Sequence, residues 1–138
     1  MKEAIKERIR KTRGYNLVSN KIFRLRGRLF DRRYSIETAQ EVDLKKLKIS
    51  SPNLIHGVMY AGPDPKSFAK LFSDWRIDFE KFEFIDLGSG KGRVLLMASE
   101  YPFKKITGVE FSPELHEIAL ENIKNYKCKL IHVANWFN

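Results

Sequence analysis

The run Phe84-Ile85-Asp86-Leu87-Gly88-Ser89-Gly90-Lys91-Gly92-Arg93, followed by Gly108-Val109-Glu110-Phe111, constrains this chain more than any other feature. An apolar strand reaches an acid, passes through alternating glycines and enters a helical pattern. A second apolar strand ends on Glu110, 20 residues beyond Gly90. Strand, glycine turn, helix and strand are the parts of a nucleotide-binding βαβ unit.

The details narrow the nucleotide. A P-loop needs Gly-x-x-x-x-Gly-Lys-Ser/Thr, but Gly92 follows Lys91 and Ile85 stands five before Gly90. No hydroxyl is placed to hold Mg²⁺. A dinucleotide site needs Gly-x-Gly-x-x-Gly with a helix N-terminus aimed at a pyrophosphate. Here Asp86 sits two residues before the first glycine, where its charge would repel a pyrophosphate and suit a ligand bearing an ammonium and a sulfonium. S-adenosylmethionine carries both. Glu110, at the second strand end, is placed to accept hydrogen bonds from both ribose hydroxyls.

The pattern Asp86-x-Gly88-x-Gly90-x-Gly92 with Glu110 resembles the class I (Rossmann-like) S-adenosylmethionine-dependent methyltransferases, firmly over residues 82–126 and loosely back to about residue 30. The resemblance implies an α/β fold with a seven-stranded sheet of order 3-2-1-4-5-7-6. This sequence would supply its N-terminal half, strands 3-2-1, and end after the third strand. It implies S-adenosyl-L-methionine as cofactor, with Asp86 on the methionine ammonium, Gly88, Ser89, Gly90 and Gly92 letting backbone approach the ligand, Glu110 on the ribose and Phe111 beside the adenine. Asn135 stands where the family often presents an Asp to the adenine amino group. Tyr60 is either a cofactor-pocket residue or a packing aromatic. Lys91 and Arg93 look like phosphate ligands but are expected on an exposed first helical turn.

Charge divides the chain. Residues 1–48 hold 15 Lys/Arg against 6 Asp/Glu, which accounts for the whole net charge of +9. We therefore expect a basic helical N-terminal extension, 1–48, and a partial cofactor-binding domain, 49–138. The basic segment is either a solvated helix face or a surface for an acidic partner such as RNA, DNA or an anionic surface. Its apolar stripe, Ile22, Phe23, Leu25, Leu29 and Phe30, is expected to pack on a core. A helix is expected over 2–12 and ended by Gly14, another over 20–33, a loop at 35–41 and a turn at 50–53. Further helices are expected at 65–75, 91–101 and 113–125, the first with Phe68, Leu71, Phe72 and Trp75 facing in. Strands are expected at 82–87, 105–110 and 128–133.

A single cysteine, Cys128, excludes an internal disulfide and a multi-cysteine metal site, and fits a reducing cytoplasm. The three histidines have no metal-ligand spacing, so no metal is expected. No apolar run is long enough to span a membrane and the charged N-terminus is no secretory signal. The leading function is that of an S-adenosylmethionine-dependent methyltransferase, its acceptor unassigned and no general base named. The alternative is a non-catalytic module that binds nucleic acid or protein. With strands missing, the first strand would be an open edge, for which self-association into a homodimer is the expected remedy.

Overall fold

The computed structural model describes residues 13–49, 57, 59–126 and 131–135. The helix expected over 2–12, the turn at 50–53 and Cys128 lie outside them. Helix α1 (Arg13–Tyr34) leads into a two-residue strand β1 (Val42–Asp43), which pairs antiparallel with β2 (Met59–Tyr60). Helix α2 (Pro65–Ser73) follows, then β3 (Glu83–Leu87), α3 (Arg93–Ala98), β4 (Lys105–Glu110), α4 (Pro113–Tyr126) and β5 (Ile131–Asn135). The three longer strands form a parallel sheet in the order β3-β4-β5. Among the described residues β3 has no second neighbour.

Local chemistry sets the boundaries. Asp64 caps α2, its carboxylate accepting from the Ser67 amide, and Pro65 opens the first turn. Ser112 does the same for α4, its hydroxyl accepting from the Leu115 amide. Helix α1 ends where Ser35 takes φ 55° and the Ile36 amide turns back to the Asp31 carbonyl at 3.1 Å, a left-handed helix stop. Gly14 does not end a helix: α1 runs through it. The third strand, Ile131–Asn135, runs two residues beyond its expected end, while its expected start at 128–130 lies outside the described residues, and α2 and α3 are shorter than their apolar patterns.

The core lies between sheet and helices and is built from Phe72, Leu95, Ala98, Phe103 and Ile106. Phe72 is its centre, with ring centroids of Phe68, Trp75 and Tyr101 within 4.5–4.9 Å. Of the α2 side chains expected to face in, Leu71 and Trp75 remain exposed.

The largest departure from the sequence pattern is the orientation of α1. Phe23, Gly27, Phe30 and Tyr34 face the protein, while Ile22, Leu25 and Leu29 are 42%, 56% and 55% exposed. The cause is a buried cation. A side chain at Gly27 would begin 3.0 Å from an Arg93 guanidinium nitrogen, so the missing side chain makes room for Arg93. That fit outweighs burial of the more apolar face.

Candidate functional site

The glycine turn after β3 is built on β4. Gly88 and Ser89 both donate their amides to the Val109 carbonyl, at 2.8 and 3.0 Å. Gly88, Gly90 and Gly92 take φ of 80°, 54° and 82°, which other residues adopt only with strain. At Gly90 a second reason applies: an added Cβ would lie 2.3 Å from the Tyr60 ring. Gly108, in the middle of β4, is as constrained by space, since a Cβ there would meet Leu95 at 2.4 Å and the Ser89 hydroxyl at 3.0 Å.

Above this turn lies an open cavity of about 230 Å³. Tyr60, Asp86, Gly88, Ser89, Gly90, Glu110 and Phe111 all line it, with Leu44, Met59, Ala61, Pro63, Arg93, Val94 and Leu115. Of the site residues expected from sequence, Gly92 does not line it and packs instead against Ala119. Asn135 pairs through its backbone with Glu110 at the end of β5.

The two acids of the motif occupy adjacent strand ends in different states. Glu110 is 3% exposed. Its Oε2 accepts from the Gly90 amide at 2.6 Å and its Oε1 from the Phe111 and Ser112 amides at 2.9 and 2.8 Å. Both oxygens are occupied, and one acceptor direction is left on Oε2. Asp86, opposite Gly108 in the register, accepts no hydrogen bond among the described residues. Burial, and then the neighbouring Glu110 charge, raise its pKa above the ordinary carboxylate value. The buried Ser89 hydroxyl also lacks a partner.

Lys91 and Arg93 are not on an exposed turn. They are 1% and 2% exposed and face the N-terminal segment. Lys91 Nζ donates to both Glu37 oxygens at 2.7 and 2.8 Å and to the Gln40 carbonyl at 3.1 Å, which satisfies all three donors. Arg93 donates to the Thr38 hydroxyl at 2.7 Å, to the Gly62 and Pro63 carbonyls at 3.2 and 3.1 Å, and to Asp31 at 3.4 Å. Asp31 in turn accepts from the Thr38 and Ala39 amides at 2.7 and 2.6 Å. Asn122 closes the same seam, donating to the Glu37 and Lys91 carbonyls and accepting from the Glu37 amide.

The contacts of Lys91, Arg93 and Asn122 in this seam span 30 to 85 residues of sequence, so no local pattern announces the partners of the two cations. Lys91 and Arg93, expected on an exposed turn, are buried because the N-terminal segment supplies their oxygen partners. Tyr60 joins the two sides, its hydroxyl donating to the Thr38 carbonyl at 3.0 Å while its ring covers Gly90. Burial raises its pKa well above the usual phenol value, so it stays protonated. No described helix is long and apolar enough to cross a membrane. Among the described residues no cluster of His, Cys, Asp or Glu is suited to a metal ion.

No protein-family profile matches the chain. It is 35% identical over 92 residues to the release factor glutamine methyltransferase of Vibrio cholerae serotype O1, a match covering 66% of this chain and 29% of that protein. Among solved structures it is similar to YjhP of E. coli (22% identity, TM-score 0.44), to YcgJ of Bacillus subtilis (18%, 0.45) and to a SAM-dependent methyltransferase of Thiobacillus denitrificans in complex with S-adenosyl-L-homocysteine (23%, 0.44). Each structural match covers 51% of this chain and 29% of the other. The chain thus spans under a third of the length of the proteins it matches, and over 92 residues its sequence is similar to that of a methyltransferase.

Proposed function

We propose that this chain is the cofactor-binding half of an S-adenosyl-L-methionine-dependent methyltransferase. One observation carries the reading: an unpartnered, half-buried carboxylate, Asp86, faces the same cavity as an open glycine turn and Glu110. Such a carboxylate calls for a cation, and the methionine ammonium is one. A Cβ built on Gly88 meets nothing within 4 Å, so ligand can lie directly on that backbone. The orphan Ser89 hydroxyl offers a further donor. Glu110 has one acceptor direction left for a ribose hydroxyl, and Phe111 lies beside it for the adenine. The 230 Å³ cavity is smaller than the roughly 300 Å³ and more that usually encloses such a ligand, so this half holds part of the cofactor and leaves part open.

When bound, the cofactor supplies an electrophilic sulfonium methyl group. The chain's own residues then orient it: Asp86 fixes one end by charge, Gly90 and its neighbours fix the backbone approach, and Tyr60 shields the turn from water. In-line attack needs a positioned acceptor, and none of the described residues forms an acceptor wall. We therefore read 49–138 as a partial domain and 1–48 as the basic cap locked onto it through Lys91 and Arg93, with little turnover expected from the chain by itself. The free edge of β3, with Ile85 and Leu87 60% and 73% exposed, is a surface for a second copy in this reading. Titration calorimetry with S-adenosylhomocysteine tests it. Binding that disappears in Asp86→Ala supports the cofactor site. Nucleic-acid binding without cofactor binding would support the alternative of a non-catalytic module, which the basic outer face of α1 favours.

A further inference from the structure

The outward face of α1 carries an exposed apolar row. Val18, Ile22, Leu25 and Leu29 are 58%, 42%, 56% and 55% exposed and follow each other at intervals of four, three and four residues. That is the heptad spacing of the a and d positions in a coiled coil, a seam one side chain wide. It lies away from the face that grips Arg93; among the described residues Pro63, Asp64 and Ser67 border its start beside Val18 and Ile22, and all four seam side chains stay exposed. A helix destined for a lipid surface normally has a broader apolar face, about 100° or more. Here the seam is narrow, and the aromatics Phe23 and Phe30 that would anchor a helix in an interface point inward.

The flanks decide the partner. Beside the seam, at the positions corresponding to e and g, stand Lys21 and Arg28 on one side and Arg26 and Arg33 on the other. Arg26 is paired with Asp64 at 3.2 Å. Lys21, Arg28 and Arg33 have no ion pair among the described residues. The one acid of α1, Asp31, is consumed inside by Thr38, Ala39 and Arg93. Two copies of this helix would bring like charges together along both flanks in either orientation. We propose that the α1 seam is a docking site for an amphipathic helix of another protein, apolar at its own a and d positions and acidic on its flanks. The seam supplies burial and the basic flanks supply selectivity.

The probe is a three-heptad peptide with leucine at a and d and glutamate at e and g, which repels itself at neutral pH and is unfolded alone. Mixed with the full chain it should gain helical circular dichroism and bind in calorimetry, with affinity falling as salt rises. Leu25→Ala and Leu29→Ala should each weaken binding about tenfold. Leu120→Ala, on exposed surface of α4, should leave it unchanged. Thermal melts of the variants show that the fold is intact. The proposal is overturned if the peptide stays unfolded, or if a lysine-flanked version binds equally well. It is also overturned if phosphatidylserine vesicles, and not the peptide, bind through Leu25 and Leu29, or if those leucines instead hold a dimer in sedimentation.

Discussion

At the end of β4, Glu110 is buried with three backbone amides on its carboxylate. At the end of β3, Asp86 is half-buried with none. The two acids face one cavity, yet they do different work. Glu110 draws Gly90, Phe111 and Ser112 toward one point and so shapes the loops around the cavity. Asp86 is held ready at a cost, because burial and its neighbour's charge both oppose its ionisation. A buried group with both oxygens held by backbone amides serves the architecture first, whereas one left without any in an open cavity points to a ligand.

The sharpest way to break this contrast is Glu110→Ala. Three backbone donors would lose their acceptor at a position only 3% exposed, which should destabilise the chain by about 3–5 kcal/mol. Denaturant unfolding measures it. A loss below about 1 kcal/mol would mean that Glu110 is replaceable in the fold and that its burial has another purpose.

Asp86→Asn should behave in the opposite sense. Affinity for S-adenosylhomocysteine should fall by about ten- to a hundredfold, the worth of a charge-assisted bond at ~1.5–3 kcal/mol. Stability should hold or rise. The sign follows from the raised pKa: the folded chain holds this proton more tightly than the unfolded chain, so the stabilising contribution is complete below the ordinary value of 3.8. It is lost as pH rises through the folded value. Melting of the wild-type chain should decline across that window relative to Asp86→Asn, while cofactor affinity climbs across it as the carboxylate ionises. A variant that melts lower at neutral pH would show that Asp86 is a structural acid like Glu110.

The two strand ends were legible in the sequence because their signals are local. An apolar strand, an acid and a glycine turn fall within a few residues, and backbone sterics make each glycine informative. The face that α1 buries was legible only in part: of the expected stripe Phe23 and Phe30 turn inward, while Ile22, Leu25 and Leu29 do not. Periodicity ranks faces by apolar content, and Ile22, Leu25 and Leu29 win that ranking. The structure instead selects the face with Gly27, because Arg93 needs space and four oxygen partners, and those come from Asp31, Thr38, Gly62 and Pro63. A preference created by a cation 66 residues away leaves no periodic trace. The same holds for β1 and β2, two residues each, which form only because Val42 meets Tyr60.

Tyr60 stands between the two acids in character, and the smallest expected effect tests it. Its ring covers Gly90 and its hydroxyl donates to the Thr38 carbonyl. Tyr60→Phe removes the second contact and keeps the first. The loss should be about 0.5–1.5 kcal/mol of stability, the net worth of one neutral hydrogen bond. Cofactor affinity should change by less than about threefold, since about 1.4 kcal/mol is needed for a tenfold change and the hydroxyl is already committed to Thr38. Melting and calorimetry on the same preparation separate the two quantities. If affinity instead dropped tenfold with stability intact, the hydroxyl would have left Thr38 for the ligand. Tyr60 would then stand with Asp86 among the groups kept for binding, and only Glu110 would remain on the side of the fold.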